Sequence, residues 1–557
     1  MVEEGCYFSI TLLGEAQFAS YPRNDVVLRC NDVALRRNDV VLLRKDGFFS
    51  RLTTHDLPMI FMRTKFQLLL LLLMPICGIA QGIVIGSLED ETLRDKQLLG
   101  EYDSSVSFTV RPLVAARKID RKHPAFKMLP VELIQQYNTH HPYGWNDGAM
   151  IAAKGYQAMV RAGVYAAYGP LEVQLIPEMV YAANPSYESN AAYGSNAGGA
   201  YQKIFAGQSS IKLSAGPISV GVATGNLWWG PGQRSSLLMS NNAPGISHLF
   251  LATRKPLHTP IGSFEFQLIG AKLTSNSERN YENQNLTNTL LNNKDRYLNA
   301  YAITYQPKWV PGLFIGITRG IQTYQESINN SSGSFMSKYL PVLGKAVDKN
   351  NAQGDDTLTT DQLASIFLRW VLPQAHAEFY VEFGKNDYSQ ELRAYLGAPT
   401  HSAAHIVGFK KIVPLKNDAY LDFGFEMIRL TQSPDYLLRD AGNWYVHGQI
   451  GQGYSQENQV IGAGAGLGAN VQSLQTTWIK GLKQLGVLFE RVERDPQYHA
   501  AKWTDISIGF MPQMKYRNIV FSGIFQFINS ANYAWEQGAG RFNLHTKIGI
   551  RYLIENK

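Results

Sequence analysis

The side chains best suited to small-ligand chemistry in this 557-residue chain lie between Gly225 and His248, GNLWWGPGQRSSLLMSNNAPGISH. If the segment is extended, the neighbouring Trp228 and Trp229 point to opposite faces. Gly230-Pro231-Gly232 then forces a turn, because proline fixes φ and glycine tolerates backbone angles closed to other residues. Arg234 offers a planar fork of donors that suits a sugar carboxylate or a neighbouring acid. Asn241 and Asn242 add amide donors and acceptors just before a second turn at Pro244-Gly245. Two readings fit these residues. One is a tryptophan-anchored turn between strands, with the rings holding a barrel wall at the membrane interface. The other is an aromatic, amide-rich ledge that stacks on pyranose faces and hydrogen-bonds hydroxyls.

Catalytic and metal motifs are sparse. The chain has no G-x-S-x-G elbow, P-loop, H-E-x-x-H or C-x-x-C. Glu378 and Glu382 fall on one face of a strand and have acid/base spacing, but lumen carboxylates are ordinarily solvated or paired with Arg and Lys. His447 has no Ser or Asp near it in sequence. His140, His141 and Asp147 cluster in HHPYGWNDG, yet adjacent histidines share one ion poorly, so a hydrogen-bonded turn is expected. Asp348, Asn350, Asp355 and Asp356 miss calcium-loop spacing, which leaves a solvated loop. No catalytic, metal or cofactor site is expected.

The elements that would position these residues are strands. Phe264, Phe266 and Leu268 alternate with Glu265 and Gln267. Phe379, Val381 and Phe383 alternate with Glu378, Tyr380 and Glu382. Leu421, Phe423, Phe425 and Met427 alternate with Asp422, Gly424 and Glu426. This period marks strands with one apolar and one polar face. No stretch after residue 80 is long and apolar enough to be a membrane helix, so a closed barrel is the remaining way to span. Turns such as Tyr168-Gly169-Pro170 and Val310-Pro311-Gly312 are tight, whereas 184–203, 275–296 and 326–357 are long and polar. Short turns on one side and long loops on the other are the outer-membrane arrangement. The expected fold is all-β, a large antiparallel transmembrane β-barrel of roughly 16–18 strands. The last strand is amphipathic through Phe542, Leu544, Ile548 and Ile550, and its nearest terminal aromatic is Tyr552. A formal charge of +7 without a basic block gives no nucleic-acid footprint.

Upstream the chain divides differently. Residues 1–61 carry near-repeats RNDVVLR, CNDVALR and RNDVVLL from Arg23, Cys30 and Arg37, and read as a non-native upstream extension. Residues 62–80 run from basic Arg63 and Lys65 through an apolar core to Gly78-Ile79-Ala80, a signal peptide cleaved before Gln81. Cys6, Cys30 and Cys77 would all be lost, leaving an exported chain without disulfides. A mixed plug segment is expected at 81–148, with a helix over Leu88–Leu99, a strand over Ser107–Leu113 and a second helix over Pro130–Tyr137. The barrel is expected over 149–557.

Three separated blocks also resemble a known family. The run WWGPG followed by SNNAPGIS, the stretch Asp361–Asp387, and the stretch His447–Gln472 are similar, in this order, to the Wzi family of outer-membrane capsule assembly proteins. In that family Asn-Asn-Ala is commonly followed by Arg-Pro. Here Pro244 follows Ala243 directly, so no role of that arginine carries over. The resemblance implies short N-terminal helices closing the periplasmic side of the barrel. It also implies a non-enzymatic, monomeric protein in the outer membrane of a Gram-negative bacterium that binds capsular or extracellular polysaccharide. Outer-membrane lipid would be its other partner. Barrel physics by itself equally allows a general porin or transport channel.

Overall fold

The computed structural model describes residues 83–554 apart from 114–123, 191–198, 276–293, 332–333, 344–359, 387–399, 434–439 and 449; upstream it gives only the backbone of four short strands. Those strands, Leu28–Cys30, Val33–Arg36, Asp39–Leu43 and Phe49–Thr53, form an antiparallel meander and belong to a separate unit. The sequence repeats pair with one another in it, Leu28 opposite Leu35 and Ala34 opposite Val41. The proposed cleavage site and the acidic stretch 348–356 lie outside the described residues.

Among the described residues, 18 antiparallel staves close into one barrel. They are β1 Ala125–Asn138, β2 Gly155–Tyr168, β3 in two segments (Leu171–Leu175 and Glu178–Ala182), and β4 likewise (Tyr201–Phe205 and Ser210–Ala215). Next come β5 Ile218–Ala223, β6 (Ser247–Thr253 and Leu257–Thr259), β7 Gly262–Leu273, β8 Arg296–Pro307 and β9 Leu313–Tyr324. β10 Thr360–Leu372, β11 Ala377–Asn386, β12 Ala403–Pro414 and β13 Ala419–Arg429 follow. The wall ends with β14 Asn470–Lys480, β15 Lys483–Arg494, β16 Trp503–Tyr516, β17 Ile519–Ala531 and β18 Arg541–Tyr552. β18 pairs with β1, Tyr552 opposite Val131, so no sheet edge is left to lipid. The last stave ends on Tyr552, the aromatic found nearest the terminus.

Alternation fixes the two faces of the wall. On β15, Leu485, Val487 and Phe489 are exposed on the outside while Leu488 and Glu490 are buried inside. Exposed Tyr137, Tyr156 and Tyr181 ring the long-loop rim, and Trp478, Tyr516 and Tyr552 the short-turn rim, as aromatic girdles at the two interfaces do. Among the described residues no helix is long and apolar enough to cross a membrane.

Two expectations are corrected. Pro130–Tyr137 is not a helix but the middle of β1. Pro130 sits at a bulge between Leu129 and Glu132, where its missing N–H breaks no ladder bond. The wall therefore starts at Ala125, and the plug segment is shorter than 81–148. The strand expected over Ser107–Leu113 shrinks to Val110–Arg111: the Ser107 N–H donates to the Glu265 side chain of the wall, and Pro112 has no N–H to give. The first helix stands as expected: α1, Leu88–Leu98, is capped by Ser87, whose hydroxyl accepts from the Asp90 N–H, and carries Glu89, Asp90 and Glu91 in its first turn.

Much of the lumen is filled by protein. α1 and the chain up to Leu113 occupy it: Ser107 N–H donates to Glu265 on β7, and Thr109 and Thr304 hydroxyls meet at 2.7 Å. The chain between β5 and β6 and the chain between β13 and β14 also turn inward. They form one apolar core with the wall, including Trp229, Leu237, Leu238, Met239, Tyr445, Tyr454 and Ile461.

Candidate functional site

The segment leaving β5 descends into the lumen and pairs there with the plug, Trp228 opposite Arg111 and Trp229 opposite Val110. Gly230 makes the next turn possible. Its φ is +116°, its N–H donates to Thr109 O, and a Cβ there would sit 2.7 Å from the Glu382 carboxylate. Neither tryptophan faces lipid. Trp229 is 0% exposed and its indole N–H donates to Gln267 Oε1 at 2.7 Å; Trp228 is 3% exposed and lies under the Arg111 guanidinium, 4.6 Å from its ring centre. The membrane-interface reading is thus overturned: both rings lie inside the barrel.

The remaining candidates divide. Arg234 donates to Glu490 Oε2 at 2.8 Å, while the backbone N–H groups of Gln233 and Arg234 donate to Glu426. Asn242 is buried, donates to Val460 O at 2.9 Å and accepts the Asn146 N–H. Asn241 donates to Asn146 O at 3.0 Å. Trp228, Arg234 and Asn241 border a lumen chamber of about 470 Å³; Trp229 and Asn242 do not.

Most of that chamber is not legible in the sequence. The turn Tyr143–Gly148 and Asn241 roof it, and the wall contributes Gln475, Thr477, Gln484 and Ser522. HHPYGWNDG was legible as a turn, but nothing in it pointed to Trp145 as a lining ring, since only the fold brings β14, β15 and β17 beside it. Each cation around the chamber has an acidic partner: Arg94 with Glu378, Arg111 with Asp90, Arg161 with Glu132, Arg234 with Glu490, Lys410 with Asp95, Lys547 with Asp147, and Arg551 with Glu89.

Glu378 and Glu382 make no acid/base pair. Glu378 accepts from Arg94 Nε and Arg369 Nε, both at 2.8 Å; Glu382 accepts from Ser365 Oγ and the Leu237 N–H. Both are 0% exposed, because the lumen around them holds protein instead of water. His141 lies in the loop after β1, packed on Tyr533 and Trp503, and burial pushes its pKa down to about 3, so the ring stays neutral. Asp147 is turned away to Lys547. Among the described residues no group of three His, Cys, Asp or Glu side chains is placed to hold a metal.

The three sequence blocks meet in this core. Leu237 from the first reaches Glu382 of the second, and Asn242 of the first reaches Val460 of the third. Ser240 N–H donates to Ile461 O, and Tyr445 OH bridges Leu237 O and the Ala463 N–H. The family model for capsule assembly protein Wzi matches residues 139–535. The chain belongs to the Wzi family. A solved structure from Escherichia coli, Wzi, "an outer membrane protein involved in group 1 capsule assembly" and "a carbohydrate binding beta-barrel", aligns with a TM-score of 0.56 at 12% identity, over 85% of this chain and 100% of that one. At that identity the likeness shows the fold. OccK5 of Pseudomonas aeruginosa aligns at TM-score 0.40 and 8% identity, over 76% of this chain and 97% of its own. OccAB4 of Acinetobacter baumannii aligns at 0.37 and 10%, over 78% and 98%. No curated protein matches by sequence. As a Wzi-family barrel with an apolar outer wall, the protein resides in the outer membrane.

Proposed function

We propose that this Wzi-family barrel binds exopolysaccharide and assists capsule assembly or surface attachment, without catalysing a reaction. It works as a monomer whose apolar outer wall meets outer-membrane lipid. The observation that carries this reading over a diffusion channel is the sealed lumen. The inward segments that contain the first and third of the family's blocks bury Trp229, Leu237, Met239, Tyr454 and Ile461 in one apolar core with the barrel wall. A porin needs a water-filled path, and a packed core conducts no solute. The absence of an exposed nucleophile–base pair among the candidate residues supports a binding role, since Glu378 and Glu382 are both locked by internal partners.

The test is capsule retention. Cells lacking the protein should shed capsule into the medium while total polysaccharide is unchanged, and re-expression should restore the cell-bound fraction. Unchanged retention in the deletion strain would remove the reading. Reduced total synthesis would instead argue for a role upstream of the surface.

A further inference from the structure

The lumen chamber has a mouth, a closed end and an unusual charge balance. Its lining reaches Ile479 and Gln484, which flank the 481–482 turn, and Gln513 and Val520, which flank the 517–518 turn. These are short turns, so the mouth lies on the periplasmic side. The opposite end is shut by the Tyr143–Gly148 turn, itself tied to the inward segment: Gly148 N–H donates to Asn241 O at 2.7 Å. A chain could enter from below but could not thread through.

Because every cation around the chamber is ion-paired, an anionic ligand meets no uncompensated partner there, and the exposed Glu91 carboxylate in the lining, which has no ion pair among the described residues, repels it. The groups free to bind such a ligand are uncharged. Gln475, Gln484, Thr477 and Ser522 line the space, and their side chains make no hydrogen bond among the described residues. The half-buried Trp145 ring, tilted 5.3 Å from Tyr143, presents an aromatic surface at the closed end. Amides, hydroxyls and a ring around a polar space of about 470 Å³ suit a small hydroxylated ligand, within the range of about 300–1,000 Å³ common to ligand pockets.

We propose that this chamber is a periplasm-facing site for the uncharged terminal unit of a glycan, a chain end or a short oligosaccharide. The site rests on the polysaccharide-binding reading and adds to it a second, inward-facing contact.

The test uses the full, detergent-purified protein and two probes: di- and trisaccharides from partial hydrolysis of the cell's own exopolysaccharide, and the intact polymer. Calorimetric titration of the wild type should detect the short saccharides, with neutral ones preferred over uronic-acid ones of equal length. The double variant Gln475→Leu, Gln484→Leu should weaken that binding by about tenfold or more, since each lost amide partner removes one hydrogen bond. Ser522→Trp, which fills the space, should abolish it. Cell-bound capsule should be unchanged in both variants. If Ser522→Trp does not fold, as judged by heat-modifiable mobility, the leucine pair decides by itself, because those amides hold nothing else. Wild-type protein that binds intact polymer but no short saccharide, or variants that bind short saccharides like wild type, would overturn the chamber and leave the surface function standing. Preference for uronic-acid saccharides would also overturn it. Wild type that binds neither probe would overturn both readings.

Discussion

The Trp229 indole donates to Gln267 Oε1 at 2.7 Å, and this bond joins the inserted segment to the barrel wall at the centre of the lumen core. Trp229→Ala should therefore act as a core deletion and not as loss of a ligand contact. We expect a cost of about 3–5 kcal/mol, with Gln267→Leu costing nearer 1 kcal/mol. Heat-modifiable mobility against temperature measures both. A Trp229→Ala barrel that melts like wild type yet sheds capsule would assign the ring to the ligand after all.

Glu378 holds Arg94 of α1 and Arg369 of β10 together, with all three side chains almost fully buried. Removing its charge strands two guanidinium groups away from water. Glu378→Gln should lower stability by about 3–5 kcal/mol and loosen α1 from the wall, seen as protease cleavage within 88–98 from the periplasmic side. An isosteric replacement with wild-type melting would show that these arginines find other partners.

The sealed core predicts electrical silence. Purified protein in planar bilayers should give no ohmic conductance steps, because Trp229, Leu237, Tyr445 and Tyr454 leave no continuous water path through it. Reproducible steps that vanish on adding a bulky residue to the core would restore the channel reading.

His141 makes stability depend on pH. Its folded-state pKa is held near 3 by burial, against 6.5 in the unfolded chain. The unfolded state therefore binds more protons as pH falls below about 6.5, and stability present above that pH is lost progressively down to about 3. His141→Phe keeps the ring packing on Tyr533 and removes the titration. The wild type should lose on the order of a few kcal/mol more than His141→Phe between pH 7 and pH 4. Parallel melting curves at the two pH values would rule this out.

The alternation of Phe379, Val381 and Phe383 with Glu378 and Glu382, the uneven loops and the lack of a spanning helix already determine a large outer-membrane barrel, because strand period is local. The Wzi resemblance in three blocks was legible for the same reason, as short runs of residues. What those runs do was not legible. WWGPG fits both a lipid-facing anchor and a sugar ledge, and only the packing of residues 224–246 against Val110, Gln267 and Val460 places both rings inside. Pro130–Tyr137 read as a helix because proline suits a first turn, while the bulge that admits it to β1 depends on the partner strand. Glu378 and Glu382 looked wet because the sequence cannot say whether a lumen holds water or protein. That is decided by contacts between residues more than a hundred positions apart, which no local pattern records: Arg94 with Glu378, Leu237 with Glu382, and Asn242 with Val460.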